Sequence, residues 1–256
     1  MPQPESSGTQ NVKNVSEVIW ISHRGYCLDG ATENTRAAFD AAVTLGFRHL
    51  ETDLRLTRDG HIVLHHDDSL QRTFRSSRKI SESTLAELKE LRAPAGERLM
   101  TLDELLELYS DIQWTFDVKT PRDEDTLIEL LSWTKRKNAG DWLNDHVRFL
   151  VWSKKTSLHC ERIFPKHMRL AREPECYRAG FSTLVGFPLL GGIQKGMTYS
   201  VPPHFARQDL FTKRILDAYH RRGARLLAYL PDTEDLAKKA YRLGFDEILT
   251  NGPKYF

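Results

Sequence analysis

The chain is poor in cysteine: Cys27, Cys160 and Cys176 are far apart and show no CxxC spacing. That weighs against a disulfide framework and suits a reducing compartment. Neither sign of charge is in excess. The net charge is +2 on 256 residues, so the basic footprint of a nucleic-acid binder is missing. No apolar run approaches the roughly 18 residues of a membrane span. The polar start, residues 1–14, has no apolar segment of the kind that opens a secretory signal. A soluble, cytoplasmic protein with no transmembrane segment is expected. No GxGxxG follows the first apolar run, which weighs against a dinucleotide site. No His-x-His follows it either, which weighs against a metal-dependent amidohydrolase.

What is present is enough apolar residue, 40% of the chain, to fill a sizeable core. Residues 1–16, rich in Pro, Ser, Gly, Gln and Asn, read as a flexible arm, and residues 17–256 as one domain. Short apolar runs suited to strands lie near residues 18, 48, 114, 147, 168, 198, 225 and 246. Most are separated by helical patterns. Ala37, Ala38, Ala41, Ala42 and Leu45 recur at spacings of three and four, giving a helix over 33–45 that Gly46 ends. Thr101 and Glu104 form a capping box that opens another helix. Alternating strands and helices imply a parallel sheet covered by helices. Eight such units in a length near the ~250 residues typical of the fold favour a closed (β/α)8 TIM barrel, class α/β. Residues 67–98 are polar and mixed, an excursion with one short helix at 84–91.

Glu51 and Asp53 are two apart on the second strand and so share a face, with Leu50, Thr52 and Leu54 on the other. In a barrel the first face points inward. Two carboxylates there are costly to bury unpaired. A hard divalent cation, Mg²⁺ or Ca²⁺, would satisfy both, and so would arginines or backbone amides. His23 ends the first strand, on the side where barrel active sites lie. His66 follows the run Ile62–Leu64, and His65 competes with it. Arg24 could grip a phosphate or pair with an acid. Asp117 and Lys119 face one way at the end of the third strand, as an ion pair or as a metal ligand and a phosphate-binding cation.

Taken together these residues resemble a known family. His23-Arg24-Gly25, Glu33-Asn34-Thr35 with Ala38-Phe39, Glu51 with Asp53, Thr57 with Asp59-Gly60, and His66-Asp67 with Leu70, Arg72 and Thr73 are similar to the motifs of the glycerophosphodiester phosphodiesterases. Thr101-Leu102-Asp103-Glu104, Asp117-Val118-Lys119 and Thr250-Asn251 with Pro253 continue the likeness more thinly. The resemblance implies a barrel with a small insertion after the second strand, about residues 67–98. It implies divalent-metal-dependent hydrolysis of a glycerophosphodiester to glycerol 3-phosphate and an alcohol. His23 and His66 would be the acid–base pair. Glu51, Asp53 and Asp117 would be metal ligands, and Arg24 and Lys119 phosphate contacts.

Three positions depart from the family pattern. Ala31 stands where a proline is usual. Asp117 replaces glutamate, as in the related sphingomyelinase D barrels. Ala228-Tyr229-Leu230-Pro231 replaces Trp-Thr-x-Asn at the seventh strand end, which bears on substrate choice. A lysophospholipase D or sphingomyelinase D-like activity on the same site is the nearest alternative. A silent phosphodiester-binding scaffold is a further one. The apolar stretch 181–193 is expected to fill space between the fifth and sixth strands. Its other reading is a pocket wall or a lip in peripheral contact with lipid. Trp20, Trp114 and Trp152 are expected in the core.

Overall fold

Strands and helices alternate from the first described residue in this computed structural model, which describes residues 18–165 and 168–255. The expected arm, residues 1–16, lies outside them. Strand β1 (Ile19–His23) is followed by helix α1 (Arg36–Thr44) and strand β2 (His49–Leu56). Then come β3 (Ile62–Leu64), α2 (Gln71–Phe74), α3 (Leu85–Lys89) and β4 (Met100–Thr101), which form the excursion. The barrel resumes with α4 (Leu102–Leu108), β5 (Gln113–Val118), α5 (Asp123–Lys137), α6 (Gly140–His146), β6 (Val147–Leu150) and α7 (Lys154–Ile163). It ends with α8 (Glu173–Leu184), β7 (Thr198–Val201), the small hairpin β8 (His204–Phe205) and β9 (Gln208–Asp209), α9 (Lys213–His220), β10 (Arg225–Tyr229), α10 (Glu234–Leu243) and β11 (Glu247–Thr250).

Parallel pairing closes the ring. β1 lies between β11 and β2, β2 pairs β5, and β5 pairs β6. β7 pairs β10, which pairs β11. Among the described residues the gap between β6 and β7 is bridged through Phe149↔Arg169 and Leu170↔Thr198, with backbone bonds from Phe149 to the Met168 carbonyl and from Ala171 to the Thr198 carbonyl. The expected strand near residue 168 is therefore a two-residue stave, and the ring has the eight staves of a TIM barrel. The excursion sits on the end of β2, where β3 pairs antiparallel with Leu54 to Leu56 and β4 pairs with β3. It has its own small core of Val63, Leu70, Phe74, Ile80 and Leu88.

Local chemistry places these elements. Thr35, Thr101, Ser153, Thr212 and Thr233 each cap a helix by accepting a backbone N–H three residues on. α1 begins at Arg36 rather than 33 because Thr35 caps it and Asn34 has a positive φ of 57°. Glu33 and Asn34 are thereby released into the loop above the barrel. α6 was not expected; its polar seven residues carry little apolar periodicity, and Leu143 alone is fully buried. Inside the barrel a polar floor holds His49 and Arg148 against Thr115, with Arg148 forked onto Glu247 at 2.9 and 2.6 Å. Above it Ile21, Leu227 and Leu249 form an apolar layer. The C-terminal strand ends lie above that layer.

Candidate active site

β1, β2 and β5 each deliver side chains to one pocket. It has a volume of about 70 Å³ and is lined by His23, Arg24, Glu51, His66, Asp117, Lys119, Trp152 and Tyr229, among others. Asp53 and Asp117 are register partners on β2 and β5, and Glu51 is the partner of His23 on β1. Oxygens of Glu51, Asp53 and Asp117 all lie within 4.8 Å of one another, and all three residues are buried. Alternation along β2, together with strand register, is enough to bring them together.

The three carboxylates differ in their partners. Asp53 accepts from Asn34 Nδ2 at 2.8 Å and faces Arg24 Nε at 3.0 Å and Lys119 Nζ at 3.1 Å. Burial works to raise its pKa, but Lys119, Arg24 and the Asn34 bond together hold it below the ordinary carboxylate value. Asp117 accepts from Lys119 Nζ at 2.6 Å and from the Trp152 indole N–H at 2.7 Å. Its pKa is still raised, because burial outweighs Lys119. Glu51 has the least: the backbone N–H of Arg24 at 3.2 Å and His23 Nε2 at 3.9 Å. Burial, then the charges of Asp53 and Asp117, push it well up. Of the three, Glu51 alone has no Lys or Arg within salt-bridge distance. That donor set, all hard oxygen, fits a divalent cation such as Mg²⁺ or Ca²⁺.

Both histidines are held by Nδ1. His23 Nδ1 lies 2.7 Å from Asn251 Oδ1, just beyond β11. Its proton must therefore sit on Nδ1, leaving Nε2 with its lone pair toward Glu51. Burial, then Arg24, pushes the His23 pKa down to about 4. His66 Nδ1 lies 2.7 Å from Asp67 Oδ1, and Asp67 also accepts from Arg72. Arg72 in turn forks onto Glu33, which pairs with Arg24. A continuous ionic chain thus joins His66 to Asp53. His65, the competing position, is fully buried and points the other way, bonded to the Asp67 carbonyl and to Thr73 Oγ1, both at 2.6 Å.

The guanidinium of Arg24 is engaged with Asp53 and Glu33, and Lys119 with Asp53 and Asp117. Both border the pocket. Sequence reasoning did not single out Asn34, Asn251 or Trp152 as site residues, whereas Tyr229 lies in the segment expected to bear on substrate choice and does line the pocket. The first two stand inside recognised motifs, which was a usable signal. Trp152 offered none: it lies beyond β6 rather than in it, 37% exposed, with Lys119 Nζ 5.1 Å from its ring centre. It is a site residue, whereas Trp20 and Trp114 are core as expected.

The apolar stretch also departs from expectation. Phe181, Phe187, Leu189 and Leu190 are 64–85% exposed rather than filling space between staves. Phe181 lines a second cavity of about 510 Å³ that adjoins the first. α8 buries Ala179, Ser182 and Thr183 on one face and leaves Phe181 on the open one.

The model of the glycerophosphoryl diester phosphodiesterase family matches residues 23–255, nearly the whole barrel. The chain belongs to that family. As a member of the glycerophosphoryl diester phosphodiesterases it is an enzyme, a phosphoric diester hydrolase. A glycerophosphodiester phosphodiesterase of Caldanaerobacter subterraneus is 26% identical, covering 93% of this chain and 96% of its own. Glycerophosphodiester phosphodiesterase 1 of Rattus norvegicus is 36% identical over 38% of this chain and 29% of its own. Among solved structures, that of a glycerophosphodiester phosphodiesterase from Agrobacterium tumefaciens superposes with a TM-score of 0.71 at 19% identity, covering 93% of this chain and 97% of the other. One from Thermotoga maritima gives a TM-score of 0.66 at 23% identity, with 91% and 94% covered. These two share the barrel. Among the described residues no helix is long and apolar enough to cross a membrane.

Proposed function

We propose that the chain hydrolyses glycerophosphodiesters to glycerol 3-phosphate and an alcohol, with Glu51, Asp53 and Asp117 holding a divalent cation and His23 and His66 moving protons. The observation that carries the reading is the convergence of two Nδ1-anchored histidines on the pocket that holds the one under-compensated carboxylate. When bound, Mg²⁺ or Ca²⁺ would draw charge from the phosphoryl oxygens.

The chain's own groups do the rest. His23 is kept neutral by burial and by Arg24, so its Nε2 is ready to accept a proton. The substrate's glycerol 2-hydroxyl gives that proton up and attacks phosphorus, with the large advantage of an internal nucleophile. His66 donates from Nε2 to the departing alcohol, and the Asp67 carboxylate at 2.7 Å balances the charge of its imidazolium form. Water then opens the cyclic phosphate with the two roles reversed. Lys119 and Arg24 border the pocket and favour an anionic substrate.

The test is a coupled assay for glycerol 3-phosphate released from glycerophosphocholine and glycerophosphoethanolamine, with chelator and after Mg²⁺ or Ca²⁺ is restored. Activity should vanish with chelator and return with metal. Full turnover in a rigorously metal-free sample removes the cation from the reading. Near-wild-type turnover by His23→Ala or His66→Ala removes the proton-transfer roles.

A further inference from the structure

The 510 Å³ cavity shares Leu150, Trp152, Ser200 and Tyr229 with the catalytic pocket, so the two adjoin at these side chains. It runs from Trp152 and Tyr229 out between α8, β7 and α9, along Ala171, Cys176, Gly180, Val201, Leu210 and Ile215. Its size is that of a small-molecule site, roughly 300–1,000 Å³. Polar ligands find little there. Thr183 Oγ1 is already bonded to the Ala179 carbonyl, and the single charged lining residue, Glu173, stands at the exposed rim. Phe181 on its lining is 67% exposed, and Leu189 and Leu190, in the turn that packs against α8, are 85% and 76% exposed. An apolar patch of this kind is uncommon on a surface that meets only water.

We infer that this cavity holds the single hydrocarbon chain of the substrate, and that the substrate class is a lysophospholipid taken from a lipid surface. The inference rests on the phosphodiesterase reading above and narrows it. One chain matches the single apolar cavity described beside the catalytic pocket. One chain also leaves the glycerol 2-hydroxyl free. The phosphorus–oxygen bond to the head-group alcohol breaks. Water's hydroxyl ends on phosphorus and its proton on the alcohol, leaving a lysophosphatidate. Tyr229, in the segment that departs from the family pattern, stands at the junction of the two spaces.

The measurement is kcat/KM, below the micellar range, for glycerophosphocholine and for lysophosphatidylcholines from hexanoyl to myristoyl. Each methylene that leaves water should raise kcat/KM by up to about fourfold, so the series should climb at least about tenfold before it levels. Gly180 gives the matching variant. It lies on α8, lines the cavity, and a Cβ built on it meets nothing within 4 Å. Gly180→Trp therefore fills the channel without a backbone clash and should flatten the series, lowering the ratio of myristoyl to hexanoyl rates. A series flat in the wild type overturns the inference. So does a strong preference for a choline over an ethanolamine head without chain dependence, which would make the cavity a head-group site. If no substrate is turned over at all, the phosphodiesterase reading fails and binding decides the cavity separately. Calorimetric titration with dodecylphosphocholine should then show affinity that phosphocholine lacks and that Gly180→Trp weakens at least about tenfold. Equal or no binding by wild type and variant overturns the inference.

Discussion

Trp152 donates its indole N–H to Asp117 at 2.7 Å while its ring forms part of the wall of the apolar cavity. One side chain therefore orients a carboxylate of the buried acid cluster and faces the space next to it. It also lies under Lys119, the cation shared by Asp53 and Asp117.

Trp152→Phe keeps the ring and loses the hydrogen bond. Asp117 is then freer to turn away from Glu51 and Asp53. Affinity for Mg²⁺ or Ca²⁺ should fall about tenfold to a hundredfold, the usual cost of losing such a support. Calorimetric metal titration of the wild type and variant reads this directly. Unchanged affinity would mean that the bond does not set the carboxylate's position.

The adjacent histidines should separate cleanly. His66→Ala should lower kcat by about 10² to 10⁴ with the melting temperature nearly unchanged. His65→Ala deletes a fully buried ring and strands the Thr73 hydroxyl, so it should cost about 2–4 kcal/mol of stability. Circular dichroism melts beside steady-state kinetics distinguish the two, and a reversed pattern would exchange their assignments.

Asn251→Ala removes the acceptor that holds the His23 proton on Nδ1. The ring can then turn or change tautomer. We expect kcat to drop at least about tenfold with KM and the melting temperature little changed, and the ring nitrogen signals of His23 to shift in NMR spectra. Wild-type kcat would show that burial alone orients the ring.

Gly25 has a φ of +84°, and a Cβ there would lie 2.6 Å from both the backbone and the Cβ of Ala38 on α1. Gly25→Ala should therefore destabilise the fold by more than about 1 kcal/mol, since the left-handed backbone and the contact are both penalised. The loop that carries Arg24 packs on α1 through this contact. An unchanged denaturation midpoint would disprove it.

Glu175 accepts from Arg169 and Arg172 and lies at the start of α8. Burial works to raise its pKa, but those hydrogen bonds hold it down to about 2, below the ordinary 4.5. Its contribution to stability is present above about pH 4.5 and is lost as pH falls toward 2. Solvent screening limits that contribution to about 1 kcal/mol. Glu175→Gln should thus melt a few degrees below wild type at neutral pH, with the gap closing in acid. A gap independent of pH would assign the loss to packing instead.

Much of this molecule could be read in the chain. Alternation along β2 puts Glu51 and Asp53 on one face with no help from the fold. Thr101 and Glu104 form their capping box from four adjacent residues. Seven of the eight staves form strands at their apolar runs. The eighth shrinks to Arg169 and Leu170, because so short a pairing depends on its neighbours β6 and β7 more than on its own residues.

What the sequence settled by itself is whatever acts within a few residues: strand alternation, helix caps, the motif residues and so the reaction class. Tertiary structure decided the rest. It placed His66 at the pocket and His65 away from it, because the turn after β3 buries one ring against Thr73 and leaves the other to the pocket. It brought Asn251 to His23 across 228 positions, which only closure of β11 on β1 can do. It moved Trp152 from an expected core place to Asp117. And it opened the apolar cavity by assembling α8, β7 and α9, elements whose own patterns say only that each has a face to bury. Contacts of that range are set by how the staves close, and no local rule of spacing encodes them.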